Sequence, residues 1–117
     1  MVEMVEERKI YRLHAELCKM LSNPIRLEIL NLLRDGEKTV GELVVATGLR
    51  QANLSQHLAT MRQRGVVMAR KEGANVYYRI ANPKIIQACD IIREVLFEQL
   101  AESGELIGKV GERRGRK

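Results

Sequence analysis

Within residues 49–67, LRQANLSQHLATMRQRGVV, four short polar side chains stand close together: Gln51, Asn53, Ser55 and Gln56. The amides of Gln and Asn each present a donor beside an acceptor, and a Ser hydroxyl can act as either. No carboxylate interrupts them, and Arg62 and Arg64 follow. This set fits a partner that displays donors and acceptors side by side within a field of negative charge. The edges of DNA bases in the major groove do that: Gln and Asn match adenine with two hydrogen bonds, and Ser serves several bases. Carboxylates at these positions would repel phosphate. From Arg50 to Lys71 the chain carries five basic residues, Arg50, Arg62, Arg64, Arg70 and Lys71, and no acidic one. The formal net charge of the chain is +5, and residues 104–117 account for +3 of it. The basic stretch is therefore a local feature, the electrostatic footprint expected for a polyanion. A merely solvated face would mix acids with bases.

Three further residues could carry chemistry. Cys18 and Cys89 are the two thiols, and His14 stands one helical turn before Cys18. Three readings are open: small buried hydrophobes, common for Cys; a redox or persulfide switch; or a soft-metal or metalloid site that takes in His14. Catalysis is not expected. The sequence has no Gly-rich phosphate loop, no Ser/His/acid set and no closed metal site, so no cofactor is implied beyond that metal alternative.

The elements that must position these residues follow from periodicity and punctuation. Ile10, Leu13, Leu17 and Met20 recur at helical spacing, with Tyr11, His14, Cys18 and Leu21 beside them, which predicts a first helix to about Leu21. Asn23-Pro24 caps and restarts the chain, and IRLEILNLLR runs to Asp35-Gly36. Thr39 and Glu42 have the spacing of a capping box and open GELVVAT. Gly48 makes a turn, and Arg50 or Gln51 begins the next helix. There Leu54, Leu58 and Met61 face inward, with Ala52, Gln56, Ala59 and Gln63 opposite them. His57 lies about 60° off the inner face on a helical wheel and is expected to pack or to touch phosphate. Two short helices joined by a Gly turn make a helix-turn-helix. Val66 to Lys71 and Asn75 to Ile80 then read as two strands about the turn Glu72-Gly73-Ala74, so the motif becomes a winged helix. The last helix, KIIQACDIIREVLFEQL, is apolar on two adjoining stripes, more than one domain face can use, which predicts a partner.

Three stretches together resemble the ArsR/SmtB family of winged-helix repressors: LSNPIRLEIL, the run NLSQHLATMRQRGVV, and the wing Arg70-Lys71-Glu72-Gly73-Ala74-Asn75-Val76-Tyr77-Tyr78-Arg79-Ile80. The resemblance covers roughly Leu13 to Leu100. It implies a mainly α fold with a small β-hairpin, a homodimer joined through the first and last helices, and a regulator that binds double-stranded operator DNA. The helix from Gln51 would enter the major groove, with Gln51, Asn53, Ser55 and Gln56 on base edges. Arg50, His57, Arg62, Arg64, Arg70, Lys71 and Arg79 would hold the backbone, Arg64 being the one nearest to a purely structural role. If the first and last helices pack together as the resemblance implies, Cys18 and Cys89 share one interface.

The family's metal sites do not carry over. Metal-sensing members have Glu-Leu-Cys-Val-Cys where this chain has Glu42-Leu43-Val44-Val45-Ala46, and zinc-sensing members use Asp and His on the last helix, where this chain has Asp90 and Glu94 but no His. Sulfur-sensing members place their cysteines at positions that correspond to Asn31 and to the region of Phe97 to Gln99. Winged helices also serve as protein-interaction modules, for which a neutral or acidic recognition helix is expected. RNA is a poorer fit, because the chain lacks the aromatic platform that single strands stack on.

Residues 1–102 are expected to form the DNA-binding and dimerisation domain, and 103–117 a basic, Gly-rich, disordered tail. No apolar run approaches the ~20 residues of a membrane span. The charged start, MVEMVEERK, is unlike a signal peptide, so the protein is expected to be cytoplasmic.

Overall fold

A computed structural model describes residues 7–104. Five helices and three strands follow in the order α1 (Glu7–Leu21), α2 (Pro24–Leu32), β1 (Lys38–Thr39), α3 (Val40–Thr47), α4 (Gln51–Gln63), β2 (Val67–Glu72), β3 (Asn75–Ile80) and α5 (Lys84–Glu102). They divide at Pro83 into two compact units, α1 to β3 and α5. The proposed tail, 103–117, lies almost wholly outside the described residues.

Local chemistry sets the helix ends. Asn23 caps α2 by accepting at Oδ1 from the N–H groups of Ile25, at 2.9 Å, and Arg26, at 3.2 Å. Pro24 takes the first helical position, where no N–H is needed. At α3 the capping box is reciprocal: the Glu42 N–H donates to Thr39 Oγ1 at 3.1 Å and the Thr39 N–H to Glu42 Oε1 at 2.8 Å. Gly48 ends α3 with φ 73°, and its N–H donates to the Val44 carbonyl at 2.8 Å. A side chain would be strained at that φ, so Gly48 sets the angle at which α4 leaves.

The core of the first unit is aliphatic. Ile29, Leu30, Leu43, Leu54, Leu58 and Met61 are fully buried, with Val66 and Val67 behind them. Leu54, Leu58 and Met61 are the three residues expected on the inner face of α4.

The wing differs from expectation in three ways. Glu72, expected in the turn, is the last residue of the strand and pairs with Asn75. The strand starts at Val67 rather than Val66, because the Val66 N–H still closes the end of α4 on the Met61 carbonyl at 2.9 Å. There is also a third strand. The antiparallel sheet has the order β1-β3-β2, with Lys38 opposite Tyr78, Thr39 opposite Tyr77, and Arg70 opposite Tyr77 from the other side. Residues directly opposite share a face. One face therefore carries Val67, Ala69, Lys71, Val76, Tyr78 and Ile80, and the other Met68, Arg70, Glu72, Asn75, Tyr77 and Arg79.

Large apolar side chains stay exposed in groups on two helices, with Val45 on α3 and Met68 on β2 exposed singly. Ile10, Tyr11 and Leu13 do so on α1, and Ile91, Ile92, Val95 and Leu96 on α5. The apolar stripes of α5 thus split: Ile86, Cys89 and Phe97 are buried, while Ile92 and Leu96, on the same stripe as Cys89, are exposed.

Candidate nucleic-acid interface

With Leu54, Leu58 and Met61 anchoring α4 to the core, its other side is left to solvent. Gln51, Asn53, Ser55 and Gln56 are all exposed. Among the described residues no hydrogen bond occupies their side chains; the Gln56 carbonyl accepts from Thr60 Oγ1, but through the backbone. The amides and hydroxyl that the sequence singled out are therefore presented together, two turns deep. The first turn of α4 is open as well: Arg50 sits at the N-cap with no side-chain hydrogen bond to the helix, whereas α2 and α3 are capped by Asn23 and Thr39.

The cations divide into two groups. Arg50, Arg62, Lys71 and Arg79 are exposed and form no ion pair among the described residues. Arg64 and Arg70 are engaged. Arg64 Nη1 lies 3.4 Å from Glu16 Oε1 on α1, a single-toothed contact between half-exposed groups. Arg70 is held far more firmly. Its Nε donates to Glu37 Oε2 at 2.8 Å and its Nη2 to Glu37 Oε1 at 2.8 Å, while Nη1 donates to Glu72 Oε1 at 2.6 Å. Its guanidinium also stands 4.5 Å over the Tyr77 ring. The hydrogen bond from Arg70 is the main reason the Glu37 carboxyl is held below the usual range.

His57 is half-buried on α4, beside the polar face. Its Nδ1 accepts from Arg26 Nε at 3.2 Å, so the imidazole is neutral with its proton on Nε2. Burial, and secondarily the Arg26 charge, push its pKa below the ordinary value. Arg26, Glu37 and Tyr77 carry no signal of these roles in the sequence. Their partners lie 31 residues away (His57), 33 residues away (Arg70), or across the sheet (Arg70 over Tyr77).

Cys18 is exposed on α1 and Cys89 is buried on α5. His14 is exposed on the same helix as Cys18. Among the described residues no three His, Cys, Asp or Glu side chains gather into a group that could hold a metal ion. Of the two positions where the resemblance places thiols, Val44 is half-buried and Ala46 exposed.

Comparison with known proteins decides what this surface belongs to. Residues 23–68 match the family described as "Bacterial regulatory protein, arsR family". The HTH-type transcriptional regulator Rv0081 of Mycobacterium tuberculosis is 40% identical over 99 residues, 84% of this chain and 87% of that protein. The chain belongs to the ArsR family. Its fold agrees with that membership. The crystal structure of Rv0081 superposes with a TM-score of 0.74 at 41% identity, covering 80% of this chain and 95% of that one. The homodimeric winged helix-turn-helix DNA-binding domain Mb0332 of Mycobacterium bovis, solved by NMR, also gives a TM-score of 0.74, at 34% identity over 85% of this chain and 94% of that one. The biofilm growth-associated repressor of Xylella fastidiosa is 35% identical over 85 residues, 73% of this chain and 75% of the repressor.

As an ArsR-family member the chain is a DNA-binding transcriptional regulator with a winged helix-turn-helix, and not an enzyme. In family terms α3 and α4 are the helix-turn-helix and the β2–β3 hairpin is the wing. Among the described residues no helix is long and apolar enough to cross a membrane.

Proposed function

We propose that this ArsR-family protein is a cytoplasmic repressor that binds an operator as a homodimer, with α4 in the major groove. One observation carries the reading: α4 presents Gln51, Asn53, Ser55 and Gln56 with no side-chain hydrogen bond among the described residues, and Arg50 and Arg62 on α4 and Lys71 and Arg79 on the wing are exposed and form no ion pair among them. A protein that left so many polar groups unengaged for no ligand would gain nothing from their grouping. DNA gives each a counterpart, base edges for the amides and hydroxyl and phosphates for the cations. The uncapped N-terminus of α4 adds the positive end of the helix dipole to the same surface. His57, with Nε2–H free to donate, and Arg64, loosely held by Glu16, border the contact.

Dimerisation is supported by the exposed apolar side chains of α1 and α5. Exposed apolar groups of this kind on a helix mark interaction surfaces, and the Mb0332 domain, of the same fold, is homodimeric. Two copies related by a two-fold axis require an inverted repeat, with half-sites about one helical turn, ~34–36 Å, or a multiple of it apart. Selection of bound duplexes from a random pool, with light scattering of the complex, tests the reading. Enrichment of an inverted repeat by a two-protomer complex is expected. Binding as a monomer, or to no preferred sequence, contradicts it.

A response to thiol chemistry is a second reading, favoured by one observation: Cys18 is exposed. Modification at Cys18 would act on α1, one of the two helices assigned to the dimer. It would lower operator affinity only by favouring a different arrangement of the protomers. Operator affinity under reductant, polysulfide or a soft metal, for the native protein and for Cys18→Ser, decides it. A drop with any of the three that Cys18→Ser abolishes supports the reading, and unchanged affinity in all three contradicts it.

A further inference from the structure

Arg70 stands on the wing of a DNA-binding protein, and in sequence it is one of five cations in a stretch without acids. The fold gives it different company. The side chain starts on β2, passes over the Tyr77 ring on β3 and reaches Glu37, the residue just before β1. The Arg70–Glu37 pair therefore spans the sheet, in strand order β2-β3-β1, meeting above the middle strand. The two-pronged contact with Glu37 has both distances at 2.8 Å. It uses the planar fork that only an arginine offers. The remaining prong, Nη1, takes Glu72, the last residue of β2 before the turn of the wing. One guanidinium thus joins the α2–β1 connection, the ring of the middle strand and the tip of the hairpin.

We propose that Arg70 is a positioning residue for DNA binding: with Glu37, Glu72 and Tyr77 it clamps the wing at a fixed angle to the helix-turn-helix and does not itself hold phosphate. Charge supports this. Glu37 and Glu72 both bond the Arg70 guanidinium, and Arg79 on the same face adds a second positive charge near Glu37, so a phosphate brought to Arg70 itself would meet two carboxylates. The neighbouring cations support it too. Lys71, on the opposite face, and Arg79, on the same face, form no ion pair among the described residues, so the clamp engages Arg70 alone and leaves both for the DNA backbone. Isolated surface ion pairs contribute little, but a bidentate arginine in a network is the exception, and stacking over an aromatic ring adds to it. The wing needs such a device. It is a two-stranded ribbon with an exposed tip, and β1, two residues long, braces only Tyr77 and Tyr78 in the middle of β3.

The proposal rests on the DNA-binding reading, and the test separates the two. Affinity for a labelled mixed-sequence duplex is measured for the native protein, Glu37→Gln and Arg70→Lys, and backbone hydrogen exchange is measured on the same proteins without DNA. Removing an acid near a polyanion ordinarily tightens binding. The clamp predicts the reverse: Glu37→Gln weakens binding by about twofold to fivefold. Arg70→Lys, which keeps the charge but removes the fork, does the same. The amides of β2 and β3 exchange faster in both variants, while those of α4 do not change. Tighter or unaltered binding by Glu37→Gln, or native affinity in Arg70→Lys, overturns the clamp and returns Arg70 to phosphate. If the native protein binds no DNA, the DNA-binding reading falls, and exchange alone then judges the clamp: unchanged rates in β2 and β3 overturn it.

Discussion

The side chain of Arg26 donates from Nε to Nδ1 of His57 at 3.2 Å, tying the first turn of α2 to the middle of α4. A second bond, from Arg26 Nη1 to the Met20 carbonyl at 3.1 Å, extends the tie to the end of α1. The recognition helix is thereby fixed from its flank as well as from its buried face. Only a neutral imidazole can accept at Nδ1, so this tie depends on pH.

His57 is held below its ordinary pKa, mainly by burial and then by the Arg26 charge. A group depressed in the folded state contributes stability that is fully present above its unfolded value, roughly 6.5 for histidine, and is lost as pH falls through the folded value. The thermal midpoint of the native protein should therefore fall between neutral pH and about pH 5. His57→Gln, which keeps an acceptor for Arg26 and cannot be protonated, should fall less over the same range. Equal falls in the two proteins would remove His57 from the explanation.

Lys71, exposed on the wing, should act through phosphate alone. Lys71→Ala is expected to weaken binding to selected and mixed-sequence duplexes alike. The plot of log affinity against log salt should flatten by about 0.9 for each phosphate that Lys71 neutralises. A salt titration reads this directly. An unchanged slope would mean that Lys71 touches no phosphate.

The exposed apolar run on α5 leads to a prediction about assembly. Ile92→Glu places a charge among Ile91, Val95 and Leu96, all exposed in the single chain. Light scattering at micromolar concentration should show the native protein at twice the chain mass and the variant at the chain mass, and DNA affinity should fall with it. A dimer that survives the substitution would place the interface elsewhere.

The two thiols should differ in reactivity. Cys18 is exposed and Cys89 buried, and it is the exposed thiol that reagents reach. Mass spectrometry after a short pulse of alkylating reagent, on protein diluted to monomer, should find Cys18 modified and Cys89 spared until the protein is denatured. Equal labelling would contradict the burial of Cys89.

The parts of this architecture that local chemistry determines could be read from the sequence. The spacing of Leu54, Leu58 and Met61 located the inner face of α4 and so its outer one. The Thr39–Glu42 capping box and Gly48 located the turn before it, and alternation from Asn75 to Ile80 located a wing strand. Relations between distant segments could not be read. β1 is too short to have a pattern of its own and exists because β3 offers Lys38 and Thr39 an edge to pair with. Arg70 looks like one more cation in a basic stretch when that stretch is bounded at Lys71. Its two carboxylates lie just outside, Glu72 one residue on and Glu37 brought up by the sheet. Glu16 reaches Arg64 across 48 residues in the same way.

The central claim is that α4 reads DNA sequence, and Gln56 tests it most directly. Its amide is exposed, is opposite the buried face and has no side-chain partner among the described residues. The measurement is the ratio of affinities for a selected duplex and a mixed-sequence duplex, for the native protein and Gln56→Ala, at one salt concentration. The substitution is expected to cost about 1–3 kcal/mol on the selected duplex and little on the mixed one, so that the ratio collapses. Equal weakening on both duplexes, with the ratio preserved, would contradict the claim.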